Sequence, residues 1–135
     1  MGPGLLLSSL PSRPCLAFAG GTGLLTFIDL AFYIWQGEAP ERFKLHLYVS
    51  FLNRQEGFAV DLLRALAYKR PDQFSLHMNF DRDQPDFMDV HKLTQWVEIS
   101  KVKRVWTCGT SGFNGWVKGM LERVGLEVAT KLVVL

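Results

Sequence analysis

Apolar residues fall along the chain in two kinds of run. Short β-rich blocks occur at Cys15–Gly20 (CLAFAG), Phe43–Phe51 (FKLHLYVSF), Phe74–Phe80 (FSLHMNF), Arg104–Cys108 (RVWTC) and Lys131–Leu135 (KLVVL). Cys15–Gly20 is the apolar run that a parallel strand covered on both faces presents, whereas Phe74–Phe80 alternates with a two-residue period. Longer runs with helical spacing lie between them. Leu24–Trp35 is apolar almost all round, with Asp29 its one charge and Gly37 and Pro40 closing it. Ala59–Tyr68 places Asp61 and Arg64 on a polar side, and Pro71 ends it. Asp81–Asp86 reads as a polar loop. Asp89–Ser100 then sets Val90, Leu93, Trp96 and Val97 on one helical face, with Asp86 or Asp89 available as cap. Gly112–Val124 is a last helix, stopped by Gly125. Strand and helix repeated four times and closed by a strand predict an α/β fold: a doubly wound, five-stranded parallel sheet with helices on both faces.

Composition narrows the setting. The 135 residues are 48% hydrophobic, enough for one domain with a well-buried core. A net charge of +2 with no basic face excludes nucleic acid as the expected partner. Cys15–Trp35 has the length of a membrane span, but Gly20, Gly21 and Gly23 interrupt it and Asp29 would be costly in lipid, so no span is expected. Leu5–Leu7 are neither preceded by basic residues nor followed by a small-residue cleavage pattern, so no signal peptide is expected. Cys15 and Cys108 lie far apart without a C-x-x-C pattern, which points to neither a disulfide framework nor a zinc site. The expected setting is an intracellular reducing compartment, with any attachment to a membrane complex made through a partner.

Two glycine turns carry the candidate chemistry. Gly20-Gly21-Thr22-Gly23 follows the first strand and opens a helix, where free amides favour an anion such as pyrophosphate. Cys108-Gly109 follows the fourth strand, and Ser111-Gly112 leads into the next helix. In a doubly wound sheet of order 3-2-1-4-5, strands one and four are neighbours where the winding reverses, and ligands of such folds bind in that crevice. A single glycine cluster is often only tight packing. Two of them flanking the crevice point to a ligand.

The stretches Ala17–Gly23 (AFAGGTG) and Val105–Asn114 (VWTCGTSGFN) resemble two signatures of the ferredoxin reductase-like superfamily, which includes cytochrome b5 reductases, ferric reductases and NADPH oxidases. The resemblance covers residues 15–135, with the motifs in the expected order and spacing. It implies an NAD(P)-binding domain that takes NADH or NADPH and presents it to FAD on a separate flavin-binding domain or subunit. It implies that Gly20, Gly21, Thr22 and Gly23 line the nicotinamide–pyrophosphate site. It places Cys108 in the catalytic position beside the nicotinamide ring, with Gly109, Thr110 and Phe113 in the same cofactor-binding turn. A small thiol and a bare backbone would let a flat ring approach the flavin. Thr26 and Thr110 stand where the family often has proline. Met1-Gly2-Pro3-Gly4-Leu5 resembles the tail of the flavin-binding barrel, so residues 1–14 are expected to be a remnant of that domain or a linker, in a chain cut or split near the boundary. The closing Val133-Val134-Leu135 lacks the terminal aromatic of some relatives.

Other residues have plainer readings. Asn53, Arg54 and Gln55 follow strand two, where such folds read the adenosine ribose. Arg54 suits a 2′-phosphate, Glu56 opposes it, and the choice between NADH and NADPH stays open. His46, His77 and His91 show no ligand spacing, and Asp81, Asp83, Asp86 and Asp89 lack the glycine and closing glutamate of a calcium loop, so no metal is expected. The aromatics Phe32, Trp35, Trp96, Trp106 and Trp116 read mostly as core or helix-face residues, with Trp106 or Trp116 an alternative candidate for covering a partner domain. Two functions remain open: the NAD(P)H-binding module of a flavoprotein reductase, inactive alone, or a non-catalytic scaffold or assembly subunit that keeps the fold. A decayed site would have no evident need for Gly20, Gly21, Gly23 and Gly109 together, although helix–strand packing would explain some of them.

Overall fold

The structure is a computed structural model that describes residues 10–11, 13–50, 57–79 and 88–135. Five strands form one parallel sheet: β1 Pro14–Gly20, β2 Lys44–Ser50, β3 Phe74–Asn79, β4 Arg104–Cys108 and β5 Leu132–Val134. Their order is β3-β2-β1-β4-β5, with β1 paired to β2 on one side and β4 on the other. Five α-helices are described: α1 Ile28–Trp35, α2 Gly57–Lys69, α3 Val90–Trp96, α4 Ser111–Arg123 and α5 Val128–Lys131. The doubly wound architecture expected from the hydrophobic pattern is therefore present.

The two-residue period of the strands divides the core in two. Cys15, Ala17 and Ala19 of β1 and Leu45, Leu47 and Val49 of β2 face α1 and α2, where Leu30, Ile34, Leu63 and Leu66 cover them. Leu16, Phe18 and Tyr48 face α3 and α4, against Leu93, Val117, Met120 and Leu121. β1 is buried on both faces, which is why it carries no polar side chain. Its Ala17 stands opposite Trp106 of β4 in the register, so a small side chain makes room for the largest buried one. Trp106 is fully buried, as its reading as a core residue expects, and the alternative that it covers a partner domain is overturned.

Several boundaries differ from the sequence reading for local reasons. The run Leu24–Trp35 is not one α-helix. Gly21–Phe27 winds as a 3-10 turn and regular α-helix begins only at Ile28. The run Asp89–Ser100 also divides. Asp89 caps α3 by accepting from the Lys92 amide at 2.8 Å, as expected, but Val97 is extended and buried and ends the helix, leaving a separate 3-10 turn at Ile99–Lys101. The short α5 precedes β5 where only a strand was expected, and β5 begins at Leu132. The loop at 81–86 and the ends of strands two and three, at Phe51 and Phe80, lie outside the described residues. No described helix is long and apolar enough to cross a membrane.

Candidate functional site

The carboxyl ends of β1 and β4 bring the two glycine turns into contact. β1 stops at Gly20, and the chain then takes a left-handed step at Gly21 (φ +57°), which turns it off the sheet. No described residue lies within 4 Å of the position a side chain would occupy at Gly21, so among the described residues this backbone is uncovered. Two residues on, the opposite holds. A side chain at Gly23 would collide with the Cys108 carbonyl, its Cβ only 2.7 Å from the carbonyl carbon. Gly23 thus lets the first turn seat directly on the backbone that ends β4. A second contact joins the same pieces: the Thr26 hydroxyl and the Cys108 thiol are hydrogen-bonded at 3.2 Å.

The second turn is fixed by side chains. Thr110 caps α4, its hydroxyl accepting from the Phe113 amide at 3.2 Å. The Thr107 hydroxyl donates to Asn114 Oδ1 at 2.9 Å, and Asn114 Nδ2 donates to the Gly109 carbonyl at 3.2 Å. Asn114 therefore ties the end of β4 to the first turn of α4. Phe113 is buried, and its ring lies 2.9 Å from where a Gly20 Cβ would sit and 2.7 Å from a Gly109 Cβ. Both glycines are thereby explained by packing against that ring.

The structure thus brings together Gly20, Gly21, Gly23, Cys108, Gly109, Thr110 and Phe113. The backbone of Thr22 lies in the same turn, while its side chain is outside what is described. Asn53 and Arg54 also lie outside the described residues. Packing within the chain accounts for Gly20, Gly23 and Gly109, and no described residue accounts for Gly21. Trp116 is half-buried, packed edge-on to Phe18 and beside Phe113 and Tyr48, and so belongs to the α4-side core. Sequence reasoning assigned no role to Thr26 or Asn114. Thr26 differed only as a missing proline, and Asn114 closed the second motif without a visible partner.

The two turns themselves carry no charge. Neither Gly20–Thr26 nor Cys108–Asn114 contains an acidic or basic residue, so an anion held there would meet backbone amides and the amino end of the thirteen-residue α4 rather than a cation. The strongly shifted groups lie elsewhere. Burial pushes the Cys15 thiol, at the amino end of β1, up to about 12, with nearby Arg104 only partly offsetting it. Burial, aided by the charge of Lys44, lowers His46 to about 4. His46 Nδ1 has no hydrogen-bond partner among the described residues, and its ring meets Trp96 edge-on at 5.4 Å between centroids. A polar depression of about 250 Å³ lined by Glu41, Arg70, Asp72 and Gln73 lies by the start of β3, at the opposite end of the sheet from the turns. No group of three or more potential metal ligands occurs among the described residues.

No protein-family model and no curated protein matches the chain by sequence. Its fold has clear counterparts among solved structures. The cytochrome b5 reductase domain of Ulva prolifera nitrate reductase superposes with a TM-score of 0.71 at 20% identity, over 91% of this chain and 48% of that one. The flavohem-like FAD/NAD-binding domain of nitric oxide dioxygenase from Vibrio cholerae O1 biovar El Tor gives 0.63 at 16% identity, over 93% of this chain and 52% of that one. Flavohemoglobin from Malassezia yamatoensis, with bound FAD and heme, gives 0.57 at 15% identity, over 93% and 33%. The chain thus shares the α/β fold of the corresponding part of these structures and spans about half, or less, of their length.

Proposed function

We propose that this chain is the nicotinamide-nucleotide-binding module of a flavin-dependent oxidoreductase, working with FAD on a separate domain or subunit. The observation that carries the reading is Gly21. Among the described residues it is the glycine of the two turns whose left-handed conformation and missing side chain no contact explains, and it stands at the point where the winding of the sheet reverses. A pyrophosphate fits there chemically, because the amides of the 3-10 turn and of Ser111 and Gly112 at the start of α4 offer donors without a competing carboxylate.

In this reading Gly20–Gly23 hold the pyrophosphate, and Asn53 and Arg54 read the adenosine ribose. Cys108, Gly109 and Thr110 border the nicotinamide, and Phe113 closes the floor beneath the two turns. The bound cofactor supplies hydride to the flavin; the chain supplies binding, orientation and room. Gly23 and Asn114 keep the two turns in one geometry, so the pyrophosphate and nicotinamide subsites hold a fixed separation.

Calorimetric titration with NADH and NADPH tests the site. Gly21→Asn is the informative variant, because asparagine tolerates the left-handed backbone better than other side chains while placing a side chain in the turn. Affinity should fall at least about tenfold, since a ligand group loses its place, with the melting temperature nearly unchanged. Equal affinity in wild type and variant would remove the pyrophosphate from this turn. Arg54→Glu should weaken NADPH more than NADH if Arg54 meets a 2′-phosphate, and equal weakening would leave Arg54 a loop residue.

A non-catalytic scaffold is favoured by one observation of its own. Phe113 and the Cys108 carbonyl account for Gly20, Gly23 and Gly109 without any ligand. Absence of calorimetric binding of either nucleotide to wild-type protein would put that reading first.

A further inference from the structure

We propose that Thr26 is a positioning residue for the nicotinamide end of the crevice, setting the direction of the Cys108 side chain. The inference rests on the nucleotide-binding reading above and adds to it a residue that no motif marks.

Little of Cys108 is free to move. Its backbone is fixed by pairing with Ala19 of β1 and by Gly23 seated on its carbonyl. What remains is one side-chain rotation with three staggered positions. The hydrogen bond to Thr26, 82 residues earlier in the chain, selects one of them. Thr26 is itself half-buried and β-branched, so its own side chain has few alternatives. The pair holds the thiol toward the first turn, and Cys108 packs with the core on the α1 side of the sheet. Phe113 closes the α4 side. The two walls of the subsite are thus set independently, one by a buried ring and the other by a single hydroxyl. Removing that hydroxyl lets the thiol rotate away from the first turn, into space that a planar ring beside Gly109 would need. Binding energy held elsewhere in the crevice would be unchanged.

The test uses Thr26→Val, which keeps the shape and removes the hydroxyl, and Thr26→Ser, which keeps the hydroxyl. Iodoacetamide labelling followed by intact mass reads Cys108 selectively, since Cys15 is fully buried and its thiol is held well above the ordinary range. Without nucleotide, Thr26→Val should label about fivefold faster than wild type, the size of one neutral hydrogen bond. With saturating NADH or NADPH, wild type should be shielded from labelling and Thr26→Val should lose most of that shielding. Affinity by calorimetry should stay within about twofold, and Thr26→Ser should restore both labelling readouts. Loss of fold alone would lower affinity and shielding together, without rescue by serine. If Thr26→Val matches wild type in labelling rate and shielding, the positioning role is overturned while the nucleotide site stands. If wild-type protein neither binds nor is shielded by either nucleotide, both proposals fall.

Discussion

At the residue scale, the contact between Gly23 and the Cys108 carbonyl makes a stability prediction that does not depend on any ligand. A methyl group at Gly23 meets backbone rather than a flexible side chain, so the 3-10 turn must lift off β4. Gly23→Ala should cost about 1–3 kcal/mol, the range for overpacking a tight contact. Urea unfolding of the variant at neutral pH checks this, and an unchanged midpoint would mean the two turns are not in contact. His46 makes a second, pH-dependent prediction. Its folded value is lowered to about 4 from an ordinary 6.5 by burial, so the unfolded chain takes up the proton first as pH falls. The stabilisation is therefore present above about pH 6.5 and is lost progressively toward pH 4, with a limit of about 3 kcal/mol. Replacing the ring by one that cannot be protonated, in His46→Phe, should flatten the dependence of unfolding free energy between pH 6.5 and 5. An identical slope in wild type and variant would show that another group governs that window.

At the element scale, the join between β4 and α4 depends on Asn114, which accepts from Thr107 and donates to the Gly109 carbonyl. Thr107 is fully buried, so Asn114→Ala leaves its hydroxyl without this acceptor and should cost about 1–3 kcal/mol. Adding Thr107→Val removes the stranded donor. The double variant should then be destabilised by clearly less than the sum of the singles in urea unfolding, whereas strict additivity would mean the two side chains do not interact. This join also marks where the sequence stopped being legible. The strands were readable from apolar runs such as β1 and from the two-residue alternation of β3, and strand–helix alternation predicted a parallel sheet; its order 3-2-1-4-5 was taken from the doubly wound pattern and is the order found. The 3-10 winding of Gly21–Phe27 was not readable, because its apolar spacing serves either helix and the choice is made by Gly23 seating on β4. The break at Val97 was hidden for a similar reason, since a buried valine continues a helical face on paper while the chain has already turned extended. Of the site, the glycines and Cys108 were visible as motifs. The contacts of Thr26 and Asn114 were not, because each bond needs a partner that only the fold places beside it.

At the scale of the whole molecule, the chain corresponds to about half of the cytochrome b5 reductase domain it superposes on, and its crevice opens at the carboxyl ends of β1 and β4. If the proposed function is right, this chain alone is colourless and leaves NADH unoxidised, and activity requires a flavin-binding barrel supplied in trans or fused ahead of it. Stopped-flow reduction of that flavin then separates positioning from binding. Cys108→Leu keeps the pyrophosphate turn and the loop after β2, so nucleotide affinity should change little. At the proposed site its bulk would displace the nicotinamide, and a shift of about 1 Å in such a geometry would cost on the order of 100-fold in rate. Cys108→Ser, nearly the same size as cysteine, should stay within about tenfold of wild type, because bulk and not sulfur chemistry is what the position demands. Equal flavin reduction by wild type and Cys108→Leu would make Cys108 an ordinary strand residue. A serine variant as slow as leucine would show that the thiol itself, and not its size, is what the crevice uses. A wild-type chain that binds nucleotide yet reduces no supplied flavin would keep the site but remove hydride transfer from its work.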